Sequence, residues 1–248
     1  MRHSIKKMAE SSTDQIVTVS FFRYRGFNKV WGMKQMYSAR APMRKMEGME
    51  FFKPLGTGSG YGYSIWPDFS VYGMLGVWRD ESAAEAYMQS ALMDEFKSHS
   101  EEQFTVFLKP ISSRGSWSGF DQWRVSSPNP NNELIAALTR ATLKPRFLFR
   151  FWKMVPRVSR EHEDYPGLVF TKGVGEVPLM EQATFSIWES KEQMESFAMQ
   201  TFHGEAVRVT RENDGFREEM FTRLQPYKSL GTWKGGSLLK GYLKPQYQ

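Results

Sequence analysis

Two stretches of this 248-residue chain follow one plan, and that restricts its fold more than any single motif does. VYGMLGVWRDESAAEAY at 71–87 and EQATFSIWESKEQMESF at 181–197 each run from an apolar strand pattern through a tryptophan into acidic helix starters. Trp78 and Trp188 lie 110 residues apart. GSW at 115–117 and GTW at 231–233 lie 116 apart, so the second half has gained a few residues. Glycine-rich GTGSG at 56–60 faces TKGVG at 171–175. A period this long exceeds a solenoid unit and matches a small α+β module present twice.

Within each half the order reads β-α-β-β-α-β, the ferredoxin-like plan. In the first half, strands are expected at 15–25, 49–66, 69–78 and 101–117, with helices at 27–46 and 79–99. Val30, Met33, Met36 and Tyr37 form one apolar face of the first helix, which Pro42 kinks or restarts. Asp80 or Ser82 caps the second. In the second half, strands are expected at 133–144, 167–179, 180–188 and 215–233, with helices at 145–161, interrupted by Pro156, and at 191–213. Each antiparallel sheet has one face under helices and must bury the other. The expected fold is α+β, two ferredoxin-like βαββαβ repeats packed sheet on sheet around a barrel-like core, with a gap between sheet and helices that can hold a ligand. The expected divisions are a disordered start at 1–14, a first module at 15–117, a linker at 118–132, a second module at 133–235 and a tail at 236–248.

Composition removes several classes of function. No cysteine is present, so disulfides, thiolate catalysis, Cys-ligated zinc and iron–sulfur clusters are excluded. The net charge of +6 is spread among both signs without the Lys/Arg block of a nucleic-acid tail, so no nucleic-acid partner is expected. MRHSIKKMAESSTDQ lacks the apolar region of a secretory signal, and no run approaches a membrane span. These features point to a cytoplasmic protein that can still touch a membrane surface. The 19 Phe, 8 Trp and 15 Met fit a large core or a pocket for a large apolar ligand.

Among four histidines, His203 stands apart. His3 lies in the lead-in, His99 ends a polar helix and His162 lies among charges. Around His203, on a continuous helix, stand Met199, Ala206 and Val207, with Phe202 and Phe197 close by. Its gapless counterpart in the first half is Met93, so the fold itself does not require histidine there. It is either a bonded core histidine or a metal ligand. No second ligand stands at helical spacing, which suits haem iron, needing one axial residue, better than a structural metal site. Arg146, Arg150, Lys153, Arg157 and Arg160 form a stripe opposite Phe147, Phe151, Trp152 and Val155. That stripe is either a solvated face or a source of partners for carboxylates such as haem propionates. GTGSGYG at 56–62 lacks the ending of a phosphate loop and suits a glycine-bent strand edge. Neither GxSxG nor HExxH is present.

VWGMKQM at 30–36, FFKPLGTGSGYGY at 51–63, VYGMLGVWRDE at 71–81, FWKMVPRVSR at 151–160, GVGEVPLMEQATFSIWES at 173–190, FA at 197–198, His203, FREEMFTRL at 216–224 and GTW at 231–233 form an ordered series. From about residue 16 to 235 it resembles the spheroidene monooxygenase family. The resemblance implies a dimeric α/β-barrel type of fold, and haem-dependent insertion of oxygen into acyclic carotenoids to give a 2-keto group. It implies haem b with its iron on His203, an apolar substrate, an external electron donor and a homo-oligomer. Met199, Phe202, Arg146, Arg150 and Trp152 complete the expected cofactor contacts. Two other readings stay open: a different haem chemistry, such as dehydration or peroxide turnover, and a non-enzymatic ligand-binding dimer.

Overall fold

Alternating apolar residues in eight segments form eight strands, and the strands close on themselves. The computed structural model describes residues 14–60, 64, 66–162, 165–177, 179–200 and 202–243, and only the backbone of 158–162, 200, 202 and 203. The expected disordered start at 1–14 falls almost wholly outside these residues, whereas the tail is described as far as 243 and packs Leu239 and Leu243 into the core. The first half runs β1 (Ile16–Arg23), α1 (Asn28–Ser38), α2 (Arg40–Arg44), β2 (Met49–Gly58), β3 (Pro67–Trp78), α3 (Glu81–Met88), α4 (Ala91–His99) and β4 (Glu102–Gly115). The second runs β5 (Ile135–Leu143), a 3₁₀ turn at Pro145–Phe147, α5 (Leu148–His162), β6 (Leu168–Gly175), β7 (Glu181–Trp188), α6 (Lys191–Gln200), α7 (Phe202–Glu212) and β8 (Phe216–Gly231).

The strand order is β1-β3-β2-β6-β7-β5-β8-β4, closed, with antiparallel neighbours throughout. This corrects the expected stacking of two separate sheets. The two four-stranded sets join edge to edge, along β4–β8 and at a short β2–β6 seam where Gly56 pairs with Gly175. Closure removes every exposed strand edge. It also replaces the expected match of 56–60 with 171–175, since the strand registers make Gly56 equivalent to Gly175 and Lys53 to Lys172.

Eight strands leave an interior just wide enough for side chains. It is filled by Val19, Phe21, Leu75, Phe104, Val106, Leu138, Phe185, Met220 and their neighbours. The repeated GSW and GTW turns supply the two ends. Trp117 and Trp233 fold inward at opposite ends of the β4–β8 ladder and are almost wholly buried. Trp117 Nε1 donates to Glu176 Oε1 at 2.7 Å, and the Arg23 guanidinium lies 4.5 Å from the Trp233 ring. Arg140, buried near Trp117, pairs with Glu218 and, at 3.6 Å, with Glu181. Burial alone would raise the Glu218 pKa, but bonds from Ser116 and the Gly119 amide, with the Arg140 charge, hold it below the usual range.

Four local readings change. The expected helix at 79–99 breaks at Gln89 and Ser90, where Ser90 caps α4 by accepting from the Met93 amide. Asp80 caps α3 from Ala83 as expected. The expected helix at 191–213 breaks likewise between α6 and α7. Pro156 does not interrupt α5; it is exposed, and solvent can take the carbonyl it leaves free. The apolar face of α1 turns outward: Val30, Met33 and Tyr37 are exposed, and the helix meets the sheet through Gly32. A Cβ there would lie 2.7 Å from the Tyr24 ring, so only glycine permits this approach. The expected linker at 118–132 is bonded to the barrel, Arg124 to Glu50 and Asn129 to Gln225, with Phe120 and Trp123 against the core.

Candidate active site

Strand register sets the two helix–sheet layers side by side. Ile16 pairs with Trp78 and Ile135 with Trp188. This makes Phe22 equivalent to Ala141 and Met74 to Thr184. The β4 and β8 registers make Phe107 equivalent to Arg223. The 110-residue offset carries into the helices: Tyr87 stacks on Trp78 as Phe197 packs on Trp188, with centroids 4.8 and 5.2 Å apart. Burial phase agrees, since Phe96 and Ala206 are buried while Glu95, Glu205, Ser98 and Arg208 are exposed.

The first layer is dense. Phe22 and Phe96 lie 4.7 Å apart, and Met74, Met93 and Phe107 are at most 2% exposed. In the second layer the same positions hold Ala141, Ala206, Thr184, His203 and Arg223. Large apolar side chains have become small or polar. Among the described residues, fifteen buried side chains form the first layer's cluster and four form the second's. On the outer face of β5, Ala137, Thr139 and Ala141 are only half-buried, although α6 and α7 pack on this half. In β1 the equivalent Thr18, Ser20 and Phe22 are at most 1% exposed. Among the described residues the second half's layer is therefore thinner in buried side chains than the first's.

An open groove of about 880 Å³ continues from this region along α7. Ala198, Met199, Gly204 and Val207 form one wall and Ser113, Phe221 and Arg223 the other. Thr139 and Ala137 pair directly with Phe221 and Arg223, so groove and thinned layer are adjacent. Arg114, Arg208, Arg211 and Arg223 rim the groove. Arg211 bonds Glu219 at 3.2 Å and Arg223 pairs with Glu195 at 2.9 Å. Arg114 lies over the Phe221 ring, and no carboxylate pairs with it among the described residues. Gly204 holds α7 against the end of α6, since a Cβ there would lie 2.6 Å from the Ala198 carbonyl oxygen. Gly204→Ala is expected to cost about 1–3 kcal/mol by this overpacking, read as a lower Tm in calorimetry.

A Cereibacter sphaeroides protein named spheroidene monooxygenase is 36% identical over 225 residues, covering 89% of this chain and 69% of the relative. A Rhodobacter capsulatus protein of the same name is 33% identical, covering 89% and 93%. The chain belongs to the spheroidene monooxygenase family. A Rubrivivax gelatinosus member is 35% identical over 208 residues. No protein-family model matches the chain. In fold, this family member resembles an aldoxime dehydratase with a TM-score of 0.59 at 11% identity, covering 88% of this chain and 83% of that one. A second aldoxime dehydratase structure, in complex with butyraldoxime, gives 0.58. At such identity the likeness speaks for the fold alone.

The sequence-derived site residues of this family member fall in three places. The backbone of His203 is in the first turn of α7, and helical spacing puts position 203 on the face of Ala206 and Thr210, the latter 0% exposed. The side chains of His203 and Phe202 lie outside the described residues. Met199 lines the groove, but the break before α7 removes the expected i−4 relation to His203, and its side chain is 72% exposed. Arg146 and Arg150 fasten the start of α5 to the end of α7: Arg146 pairs with Asp214 at 2.5 Å and Arg150 donates to Asn213 Oδ1 at 2.8 Å. Lys144, then Arg146, holds the Asp214 carboxyl below its usual range. Trp152 stands away from the groove, donating to the Leu179 carbonyl at 3.1 Å beside the β2–β6 seam. Arg114, Arg211 and Arg223 were not singled out from sequence. Arg114 is near the end of β4, Arg223 is mid-way along β8 and Arg211 is on α7, and only the packing of these three elements gathers them.

Proposed function

We propose that this protein is a monooxygenase that oxidises an acyclic carotenoid in the cleft over the second half of the barrel, using haem b. The observation carrying this reading is the replacement of Phe22, Met74, Met93 and Phe96 by Ala141, Thr184, His203 and Ala206 at equivalent positions. A fold built from two ferredoxin-like modules, 15–117 and 133–235, gives one of them a filled layer and the other a space for a flat apolar group.

The residues fit such a group. A porphyrin brings four nitrogen ligands, so a single protein ligand suffices. His203 would be that ligand. Among the described residues no three His, Asp or Glu side chains gather as a metal site without a macrocycle would need. Arg114, which no carboxylate pairs among the described residues, is the groove cation free to meet a porphyrin carboxylate, whereas Arg146 and Arg150 hold Asp214 and Asn213, and Arg211 and Arg223 hold Glu219 and Glu195. When bound, haem supplies the activation of oxygen.

The protein's part is positional. Small residues on β5 and α7 leave room for a planar group, and Phe221 and Val207 give the apolar contact that keeps water from it. Each round places one oxygen atom of O₂ in a C–H bond of the substrate and releases the other as water, consuming two electrons and two protons from an external donor. Two rounds on one CH₂ group, followed by loss of water, give the ketone. The reading also includes a homo-oligomer and contact with a membrane surface, where such a substrate is held.

The test is to supply haemin, an acyclic carotenoid, oxygen and a chemical reductant to the purified chain. A Soret band and a product heavier than the substrate by one oxygen less two hydrogens are expected. A protein that takes up no haemin, or a carotenoid recovered unchanged, would overturn the proposal.

A further inference from the structure

The outward turn of α1 leaves an apolar stripe without an intramolecular partner. Phe27 is 95% exposed, Tyr37 82%, and Val30 and Met33 about half. These four recur every three or four residues and so share one face. The segment that carries them has charge of one sign, with Arg23 and Arg25 paired to Glu102 and Glu101 from β4 and the residue before it. From residue 15 to 46 the chain has seven Lys and Arg and no Asp or Glu. The second half repeats this: 134–160 also has seven cations and no acid, and Phe149 on α5 is 75% exposed. Lys29, Lys34 and Arg44 have no ion pair among the described residues. Among the described residues no helix is long and apolar enough to cross a membrane.

The two basic helices border the same opening. A mainly apolar pocket of about 190 Å³ at the β2–β6 seam is lined by Met33 and Met36 of α1, Trp152 of α5, Leu179 and Gln182, and its two carboxylates, Asp68 and Glu176, are neutralised by Lys172 and Lys53. Gln182 is the direct strand partner of Ala141, on the floor of the cleft.

We propose that the α1–α5 face is a docking surface for an anionic lipid bilayer, with the seam pocket as the mouth through which an apolar substrate reaches the cleft. The mouth's use rests on the reading above; the docking does not. Exposed aromatics seat at the headgroup boundary while unpaired Lys and Arg meet anionic headgroups. Charge complementarity selects lipid over a second copy of this chain, because two copies would bring like charges together.

The test is co-sedimentation of the full chain with vesicles of phosphatidylcholine alone or with phosphatidylglycerol. Binding is expected only with phosphatidylglycerol, and should weaken with salt. Lys29→Glu with Lys34→Glu, and separately Phe27→Ser with Tyr37→Ser, should each weaken it at least about tenfold with unchanged circular dichroism. Absence of binding to either vesicle, or equal binding by both variants, overturns the proposal. So does a parent dimer that the Phe27/Tyr37 variant splits while vesicle binding persists. Both variants should convert detergent-dispersed carotenoid at the parent rate; a loss there would place these residues in the reaction instead. Vesicle binding needs neither haem nor turnover, so it survives failure of the functional reading.

Discussion

Replacing His203 by alanine is expected to abolish the Soret band of the haem-loaded protein and to lower carotenoid turnover more than about a hundredfold. Alanine is a strong helix former, so α7 should persist and the thermal midpoint of the haem-free protein should hardly move. Imidazole in the buffer can then occupy the space vacated and restore part of the spectrum. A purely structural histidine would behave in the opposite way. Its loss would lower stability, leave haem uptake unchanged and gain nothing from added imidazole. The measurement is absorption spectroscopy during haemin titration of parent and variant, with calorimetry of both haem-free proteins.

The second large effect concerns the space itself. Ala141→Phe with Ala206→Phe would restore in the second half the ring pair that Phe22 and Phe96 make in the first, where the centroids lie 4.7 Å apart. A cleft accepts these rings. Each buried phenyl should contribute about 1.5–3 kcal/mol, raising the midpoint of the haem-free chain by several degrees. Haem affinity should fall more than a hundredfold, because the rings occupy the ligand's place. A layer already filled by side chains would instead be overpacked, costing about 1–3 kcal/mol and lowering the midpoint. The two outcomes have opposite signs, so a thermal melt of the haem-free variant decides between them.

The repeated strand–tryptophan–helix runs made the element order readable, because hydrophobic period is a local property. The helix breaks at Gln89–Ser90 and before α7 were less visible. Neither has glycine or proline at the joint, and Ser90 shows its role only by accepting a bond in place. The same break misled the sequence reading of Met199, which stands four residues before His203 yet belongs to another helix. His203 was singled out from sequence by asymmetry between the halves. The partner asymmetries at Ala141 and Ala206 were equally written in the chain, but Phe22 and Ala141 are separated by a different interval from Trp78 and Trp188. Only the strand registers reveal that they correspond.

Sequence alone determined the α+β class and the family, since each rests on residues near one another in the chain. Tertiary structure decided that the two sheets close into one barrel, that its interior is full, and that the second helix layer is thinned. It also turned the apolar face of α1 toward solvent and gathered arginines from β4, α7 and β8 around one groove. Those outcomes depend on pairings across more than a hundred residues, where the chain's own spacing carries no distance information until the strands are in register.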